Sequence, residues 1–407
     1  MAKNMVLGLD VGSGNIKAVL AEPVGDKIFL KTGEVKLSKG LRRGVVVGME
    51  EAVSQINATV QDIRSVAKPS LKNIYLNVGG SNIHAQVSRG IVAVARADSE
   101  IYKDDIQRAI QASEAVNLPA NRMIIHTIIR EYIVDGIGDI SDPLGMSGAR
   151  LEVESYIIDA FTPAVKNLMK CVELVGGSIS GLIFNPLAAA LAVLSKNQKE
   201  LGVILIDIGY GTTSLAVYEE GKLIHTAVLP VGAGHITTDL AVALKIPVEA
   251  AEKIKLTFGY AVSSEVSAKD SIDLKKLDIN IKGNPSRRFV CEVIESRLNE
   301  ICELINNELK LIDRIGKLPG GAVIVGGGAK LPGLADLFKN DLKLSTQIGL
   351  PDASIFEAEN DAMEFLESPE YATVLGLVLW DQELSPRKSK SLKGSKAITR
   401  FLKNFLP

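Results

Sequence analysis

One short unit, met twice, constrains this chain more than any other feature. Met5-Val-Leu-Gly-Leu-Asp10 is an apolar run ending in a carboxylate, and Val11-Gly12-Ser13-Gly14-Asn15 turns the chain into a second apolar run, Ile16-Lys17-Ala18-Val19-Leu20. The pattern predicts strand, tight turn, strand. The same order returns at Gly202 to Asp207, Ile208-Gly209-Tyr210-Gly211-Thr212-Thr213 and Ser214 to Tyr218. A third apolar run, Ala322 to Val325, enters Gly326-Gly327-Gly328, then Ala329-Lys330 and a helical stretch from Leu334 to Lys339. Glycine lets a backbone approach phosphate oxygens, and small hydroxyl residues add donors, so such turns suit an oxyanion. Any one of them alone is equally an ordinary hairpin, and each aspartate alone a turn cap. As a matched pair, Asp10 and Asp207 could hold a hydrated Mg2+ between them.

Strands alternate with helical stretches at Val165 to Val175, Leu187 to Leu194, Val248 to Thr257 and Val290 to Leu311, which predicts an α/β fold with mixed sheets. The 407 residues suffice for two or three domains at roughly 150 residues each. A composition of 46% hydrophobic and 23% charged residues excludes a disordered, collagenous or disulfide-scaffold chain. Cys171, Cys291 and Cys302 have no metal-ligand spacing, nor have His84, His126, His225 and His235; a reduced, cytoplasmic protein with structural histidines is expected. The most apolar stretch, Leu182 to Leu194, is broken by Asn185-Pro186 and is too short to cross about 30 Å of hydrocarbon. No Gly-x-Ser-x-Gly or Cys/His pairing marks a covalent nucleophile.

Residues 77 to 157 lack any glycine-rich phosphate signal. They read strand (Ile83 to Val94), helix (Asp104 to Val116), strand (Arg122 to Tyr132), loop (Ile137 to Gly148), strand (Leu151 to Ile158), a small α+β unit set into the first lobe. The net charge of −2 is unevenly spread. From Asp381 onward seven basic residues face two acids, a surplus of +5 that leaves the body at −7. An acidic body is a poor nucleic-acid binder, whereas the basic tail points to an anionic partner.

Together the three turns resemble the actin, Hsp70 and sugar-kinase superfamily of ATP-binding folds. Asp10-Val-Gly-Ser-Gly-Asn-Ile-Lys17 is similar to its first phosphate motif, Asp207-Ile-Gly-Tyr-Gly-Thr-Thr213 to its second, and Val325-Gly-Gly-Gly-Ala-Lys330 to its adenosine motif; Leu187 to Leu194 and Tyr371 to Leu379 stand as the two connecting helices. Arg130-Glu131-Tyr132 and Asp142-Pro-Leu-Gly-Met-Ser-Gly-Ala-Arg-Leu-Glu152 closely resemble the insert of the FtsA family of bacterial cell-division proteins, a likeness that covers nearly the whole chain. The resemblance implies an actin-like (ribonuclease H-like) bilobed α/β fold, with an inserted α+β subdomain and a C-terminal amphipathic helix. The implied division is 1–80 and 161–200 for the first lobe, 81–160 for the insert, and 201–365 for the second lobe, including a partner-binding subdomain at 226–302. A return helix at 366–380, a basic linker at 381–394 and a helix at 395–407 complete it.

The resemblance further implies ATP and Mg2+ as cofactors. Gly12, Ser13, Gly14, Asn15, Lys17, Gly209, Tyr210, Gly211, Thr212, Thr213, Gly232, Glu252, Lys255, Gly326, Gly327, Gly328 and Lys330 would meet the nucleotide, and Asp10 and Asp207 the metal. For Glu252 and Lys255 a solvated helix face is the alternative. Three departures bear on activity. Phe184-Asn185-Pro186 offers an amide where relatives often place Glu or Gln, so ATPase activity is expected to be weak or absent; Ala233 interrupts a glycine pair; and Tyr210 stands where a third glycine is common.

Partners implied by the resemblance are a second copy of the chain in a filament, later division proteins on the insert, and the C-terminal peptide of the tubulin-like FtsZ at Arg297, with Arg288 as a weaker candidate. An ion pair with Glu300 or Glu303 is the competing role for Arg297. In the tail, Ile398, Phe401, Leu402 and Phe405 make one apolar stripe, with Lys396, Arg400 and Lys403 off it and Ser395 as N-cap. That pattern fits a helix lying on an anionic membrane, or one packed on its own domain. The resemblance implies a location on the cytoplasmic face of the cell membrane at the division septum. Two other readings are a PilM-type pilus-assembly adaptor, whose relatives lack such a tail, and a small-molecule kinase, which leaves the insert unexplained.

Overall fold

The computed structural model describes residues 5–66, 71–96, 98–276 and 283–384. In chain order the first lobe opens with β1 (Val6–Val11), β2 (Asn15–Val24), β3 (Lys27–Leu37), the two-residue strands β4 (Leu41–Arg42) and β5 (Val45–Val46), α1 (Met49–Val66) and β6 (Ile74–Val78). The insert follows as β7 (Ile83–Ala93), α2 (Lys103–Glu114), β8 (Arg122–Val134), β9 (Ile137–Ile140) and β10 (Arg150–Phe161). The chain then returns through α3 (Thr162–Leu174), β11 (Ile179–Phe184), α4 (Asn185–Val193) and α5 (Lys196–Leu201). The second lobe holds β12 (Val203–Ile208), β13 (Thr213–Glu219), β14 (Lys222–Leu229), α6 (Ala233–Leu244), α7 (Val248–Phe258), α8 (Arg287–Leu311), β15 (Ala322–Val325), α9 (Leu334–Leu342) and β16 (Thr346–Ile348); β17 (Phe356–Ala358) and α10 (Ala372–Leu384) lead back to the first lobe.

The repeated unit of the sequence is a repeat of topology. One sheet has the order β11-β6-β1-β2-β3-β17, the other β14-β13-β12-β15-β16. In each, an antiparallel meander of three strands continues into two parallel ones: β6 and β11 beside β1, β15 and β16 beside β12. Both key strands are buried on both faces, as their unbroken apolar runs require. Leu7, Leu9 and Val11 of β1 pack toward α1 and α3, and Ile204, Ile206 and Ile208 of β12 toward α6 to α9. Alternation then turns Val6 toward α10 and Val203 and Leu205 toward α4. The same parity carries Asp10 and Asp207 to the inner side, where the lobes face each other.

Helices α4 and α10 are apolar all round, and such helices are stable only when enclosed. They cross between the lobes. Leu187, Ala189 and Ala190 of α4 join the core of the second sheet, while Val374, Leu375, Leu377 and Val378 of α10 join that of the first. The crossing is so close that a Cβ on Gly376 would collide with the carbonyl of Ala188.

The insert is an antiparallel sheet, β7-β10-β8-β9, with α2 against one face and its own small core of Ile101, Ala109, Tyr132, Val134, Leu151 and Val153. The stretch expected as a loop from Ile137 begins instead with β9, paired with β8. Asp135 and Gly136, both at positive φ, form the tight turn that makes this hairpin. At the other end of the chain α10 runs on to Leu384, so residues 381–384 extend the return helix rather than start a linker. The rest of that linker and the tail helix, with Lys396, Ile398, Arg400, Phe401, Leu402, Lys403 and Phe405, lie outside the described residues.

Candidate functional site

The two glycine turns close in the same way. Gly12 N donates to Asn15 O (3.1 Å) in the first, and Gly209 N to Thr212 O (2.9 Å) in the second. They also touch: a Cβ on Gly14 would lie 2.9 Å from Tyr210 Cβ, and one on Gly211 3.4 Å from Ser13 Cβ. A third loop backs them, with Gly44 N donating to Ser13 Oγ (2.8 Å). Behind the second turn starts α6, whose first residues bind back to it: Ala233 N donates to Gly209 O (2.9 Å) and Gly234 N to Tyr210 O (2.8 Å). The N-terminal end of α6 thus adds its partial positive charge to the place where the two turns meet.

The two aspartates sit at equivalent strand ends in different surroundings. Asn77 Nδ2 donates to Asp10 Oδ1 (2.8 Å) and Lys17 Nζ to Asp10 Oδ2 (3.5 Å). Asn77 also takes the backbone N–H of Val11 on its Oδ1 and shares its amide with Asn185 at the head of α4. Asp207 has Thr373, in the first turn of α10, as its side-chain donor (3.3 Å). Burial raises the carboxyl of Asp10 above its ordinary value, and Lys17 pulls it part of the way back. Asp207 is pushed up to about 6, first by burial and then by repulsion from Asp10. Two hydroxyls beside the turns, Ser38 Oγ and Thr213 Oγ1, are buried with no partner among the described residues. Such a group costs about 1–3 kcal/mol until something meets it. A polyphosphate and a hard cation would answer both the unmet donors and the crowded carboxylates.

The third glycine turn joins the same place. Gly326 has φ +87°, and a Cβ there would collide with Asp207 Oδ1; its N–H donates to Pro369 O (2.9 Å). Gly327 and Gly328 begin the single helical turn Gly327–Lys330. Glu370 ties this turn to the first one, taking Lys330 Nζ on its carboxylate and Lys17 Nζ on its carbonyl oxygen (2.7 Å each). Lys255 is buried, not on a solvated face: its Nζ meets Thr237 Oγ1 (2.9 Å) and Ala233 O (3.2 Å) of α6, and Glu252 (2.8 Å) on its own helix, α7. The N–H of Gly232 is committed to His235 Nδ1 (3.0 Å), which caps α6.

Comparison with known proteins gives the family. The family model described as "SHS2 domain inserted in FTSA" matches residues 80–159, and "Cell division protein FtsA" matches residues 204–376. The cell division protein FtsA of Borreliella burgdorferi is 34% identical over 385 residues, 94% of this chain and 92% of the relative. The chain belongs to the FtsA family of cell division proteins. The FtsA of Pseudomonas aeruginosa is 32% identical across 96% of this chain and 93% of its own. Among solved structures, the "PilM-PilN type IV pilus biogenesis complex" superposes with a TM-score of 0.66 at 18% identity, over 92% of this chain and 98% of the other. "MreB5 of Spiroplasma citri bound to ADP" gives 0.54 at 14% identity, over 95% and 99%. These last likenesses establish the actin-like fold that the turns foretold.

In this FtsA-family chain Arg297 stands apart from the turns, on α8. Its guanidinium forms a two-point pair with Asp239 of α6 (2.7 and 2.9 Å) and also meets Glu300, so the expected ion pair exists with a second partner that the sequence did not suggest. Arg288 is exposed and reaches Glu292 at 3.5 Å. The residues that sequence reasoning missed at the turns are Asn77, Glu370 and Thr373. Asn77 left a signal, a polar residue inside the apolar strand Ile74–Val78; the other two left none.

Proposed function

We propose that the chain binds Mg-ATP between its lobes, assembles into an actin-like filament, and holds FtsZ filaments to the cytoplasmic face of the cell membrane at the division septum. What carries the reading is one arrangement: two like sheets each deliver a glycine turn and a buried aspartate to a common point, in a chain of the FtsA family. The phosphates would rest on Gly12 to Asn15, on Gly209 to Thr213 and against the head of α6, with Lys17 beside them. Asp10 and Asp207 would hold Mg2+ through its water shell, a cation that neutralises the phosphate charge when bound. Glu252, Lys255, Gly326 to Gly328 and Lys330 would line the adenosine side. With Asn185 donating no general base, hydrolysis is slow and binding is what orders the two lobes.

Residues 395–407 would lie on anionic lipid as a short amphipathic helix, binding weakly as one copy and strongly as a filament. The subdomain 226–302 would receive the FtsZ C-terminal peptide through Arg297 and Arg288, and the insert would meet the neighbouring copy and later division proteins. Sedimentation with anionic liposomes, with Mg-ATP or with EDTA, tests this on the full chain and on a variant ending at Leu384, which keeps α10 whole. Tail-dependent pelleting, with nucleotide-dependent filaments on the lipid by electron microscopy, is the expected result. Equal pelleting of both chains, or no response to nucleotide, would overturn it.

A further inference from the structure

Tyr210 is the one large side chain among the glycines of the two phosphate turns. Its Cβ packs at the first lobe, where a Cβ on Gly14 would approach to 2.9 Å. The far edge of its ring packs on the second lobe, where a Cβ on Gly234 would lie 2.7 Å from both Cε1 and Cζ. The ring therefore spans from the turn of one lobe to the head of α6 in the other, across the point where both turns present their backbones. Its phenol is raised by burial and then by the carboxylates of Glu252 and Glu249 on α7. Yet the residue is 44% exposed, so its outer face is open to solvent. A glycine here would leave the turns uncovered; an aromatic ring in a turn costs exposed apolar surface without adding to either core.

We propose that Tyr210 is a cover on the nucleotide site that sets how fast nucleotide enters and leaves. A ligand bedded on Gly12 to Asn15 and on the head of α6 lies under the ring. For it to leave, either the side chain rotates outward or the lobes part and break the contact between Gly14 and Tyr210. Each route adds a barrier to exchange while changing the contacts of the bound state little, because the ring covers phosphates and does not hydrogen-bond to them. The contacts are made by ring carbons, so the cover needs the ring and not its hydroxyl. This rests on the nucleotide-binding reading, and the test separates the two.

Release of a fluorescent ATP analogue, chased with excess ATP in Mg2+, is followed by stopped flow for the full-length chain, Tyr210→Phe and Tyr210→Gly, with thermal unfolding of each as a check on folding. The expected result is release from Tyr210→Gly about tenfold faster than from the parent, with entry accelerated in step so that Kd moves by less than about threefold; tenfold corresponds to a barrier lower by about 1.4 kcal/mol. Tyr210→Phe releases at the parent rate. Equal rates in Tyr210→Gly and the parent would overturn the proposal, as would a Tyr210→Phe variant as fast as Tyr210→Gly, which would assign the effect to the hydroxyl. Should Tyr210→Gly fail to fold, Tyr210→Ala removes the same ring and is read in the same way. If the parent takes up no nucleotide at all, the nucleotide reading itself fails, an outcome different from parent binding with unchanged rates.

Discussion

The two lobes carry the same sheet and the same turn, and they treat their aspartates differently. Asp10 is held by Asn77 and Lys17, and through Asn77 it is linked to the head of α4. Asp207 has the hydroxyl of Thr373, and burial together with the neighbouring Asp10 drives it to about 6. Burial raises both carboxyls, but Asp10 has Asn77 as donor and Lys17 to offset the penalty, while Asp207 has one hydroxyl and the repulsion of its partner. The repeat supplies the geometry, and its asymmetry supplies a reason for the site to favour a cation. The pair and its two turns would form a single site whose second half is completed by Mg-nucleotide.

The largest expected effect lies where the lobes are joined. Gly376→Ala places a Cβ against the Ala188 carbonyl at the crossing of α4 and α10, and should cost about 3 kcal/mol or more. Denaturant unfolding measures it, and a loss under about 1 kcal/mol would mean the crossing is looser than the structure has it. Next come the aspartates, where Asp10→Ala and Asp207→Asn should differ in sign. Asp10→Ala removes the acceptor of Asn77 Nδ2 and a partner of Lys17 and should destabilise the ligand-free chain by about 2 kcal/mol. Asp207→Asn removes a buried, repelled charge and should stabilise the ligand-free chain at pH 7 by up to about 3 kcal/mol. Losses of equal size in both variants would erase the asymmetry.

The pH dependence sharpens the same contrast. The carboxyl of Asp207 titrates near 3.8 unfolded and about 6 folded, so the folded state binds the proton more tightly. Its contribution is complete below 3.8 and declines as pH rises through 6, a decline that Asp207→Asn abolishes. His126 runs the other way. It is buried against Trp380, its Nε2 takes the N–H of Phe184 (3.0 Å), and burial lowers it from 6.5 to about 4. Its share is complete above 6.5 and is lost as pH falls toward 4. Melting midpoints across pH 4 to 7.5 for the parent and Asp207→Asn should therefore diverge above pH 4 and stay parallel above about 7. The smallest effect is expected of Lys330→Ala, which breaks an exposed pair with Glu370 and should change stability by less than about 0.5 kcal/mol.

Much of this was legible because it is local. An apolar run, an aspartate and a glycine turn follow one another within a few residues, so both halves of the pair could be read directly. The two connecting helices were placed by the family resemblance, and their apolar composition suits the enclosed crossing they make. What could not be read depends on contacts between distant residues: Asn77 against Asp10, Thr373 against Asp207, Glu370 against Lys17, Asp239 against Arg297. Burial likewise decides the role of Lys255, whose sequence setting is that of any charged helix residue. Strand β9 is a different case: its turn, Asp135-Gly136, is a strong local hairpin signal, masked by the polar residues that follow it.

Whether the two turns and the two aspartates form one Mg-nucleotide site is decided by calorimetric titration of the full-length chain with ATP, in Mg2+ and in EDTA, beside Asp10→Ala and Asp207→Asn. Binding should require Mg2+ in the parent and fall at least about tenfold in both variants, including the more stable Asp207→Asn. Binding that is the same in EDTA as in Mg2+, with both variants like the parent, would contradict it.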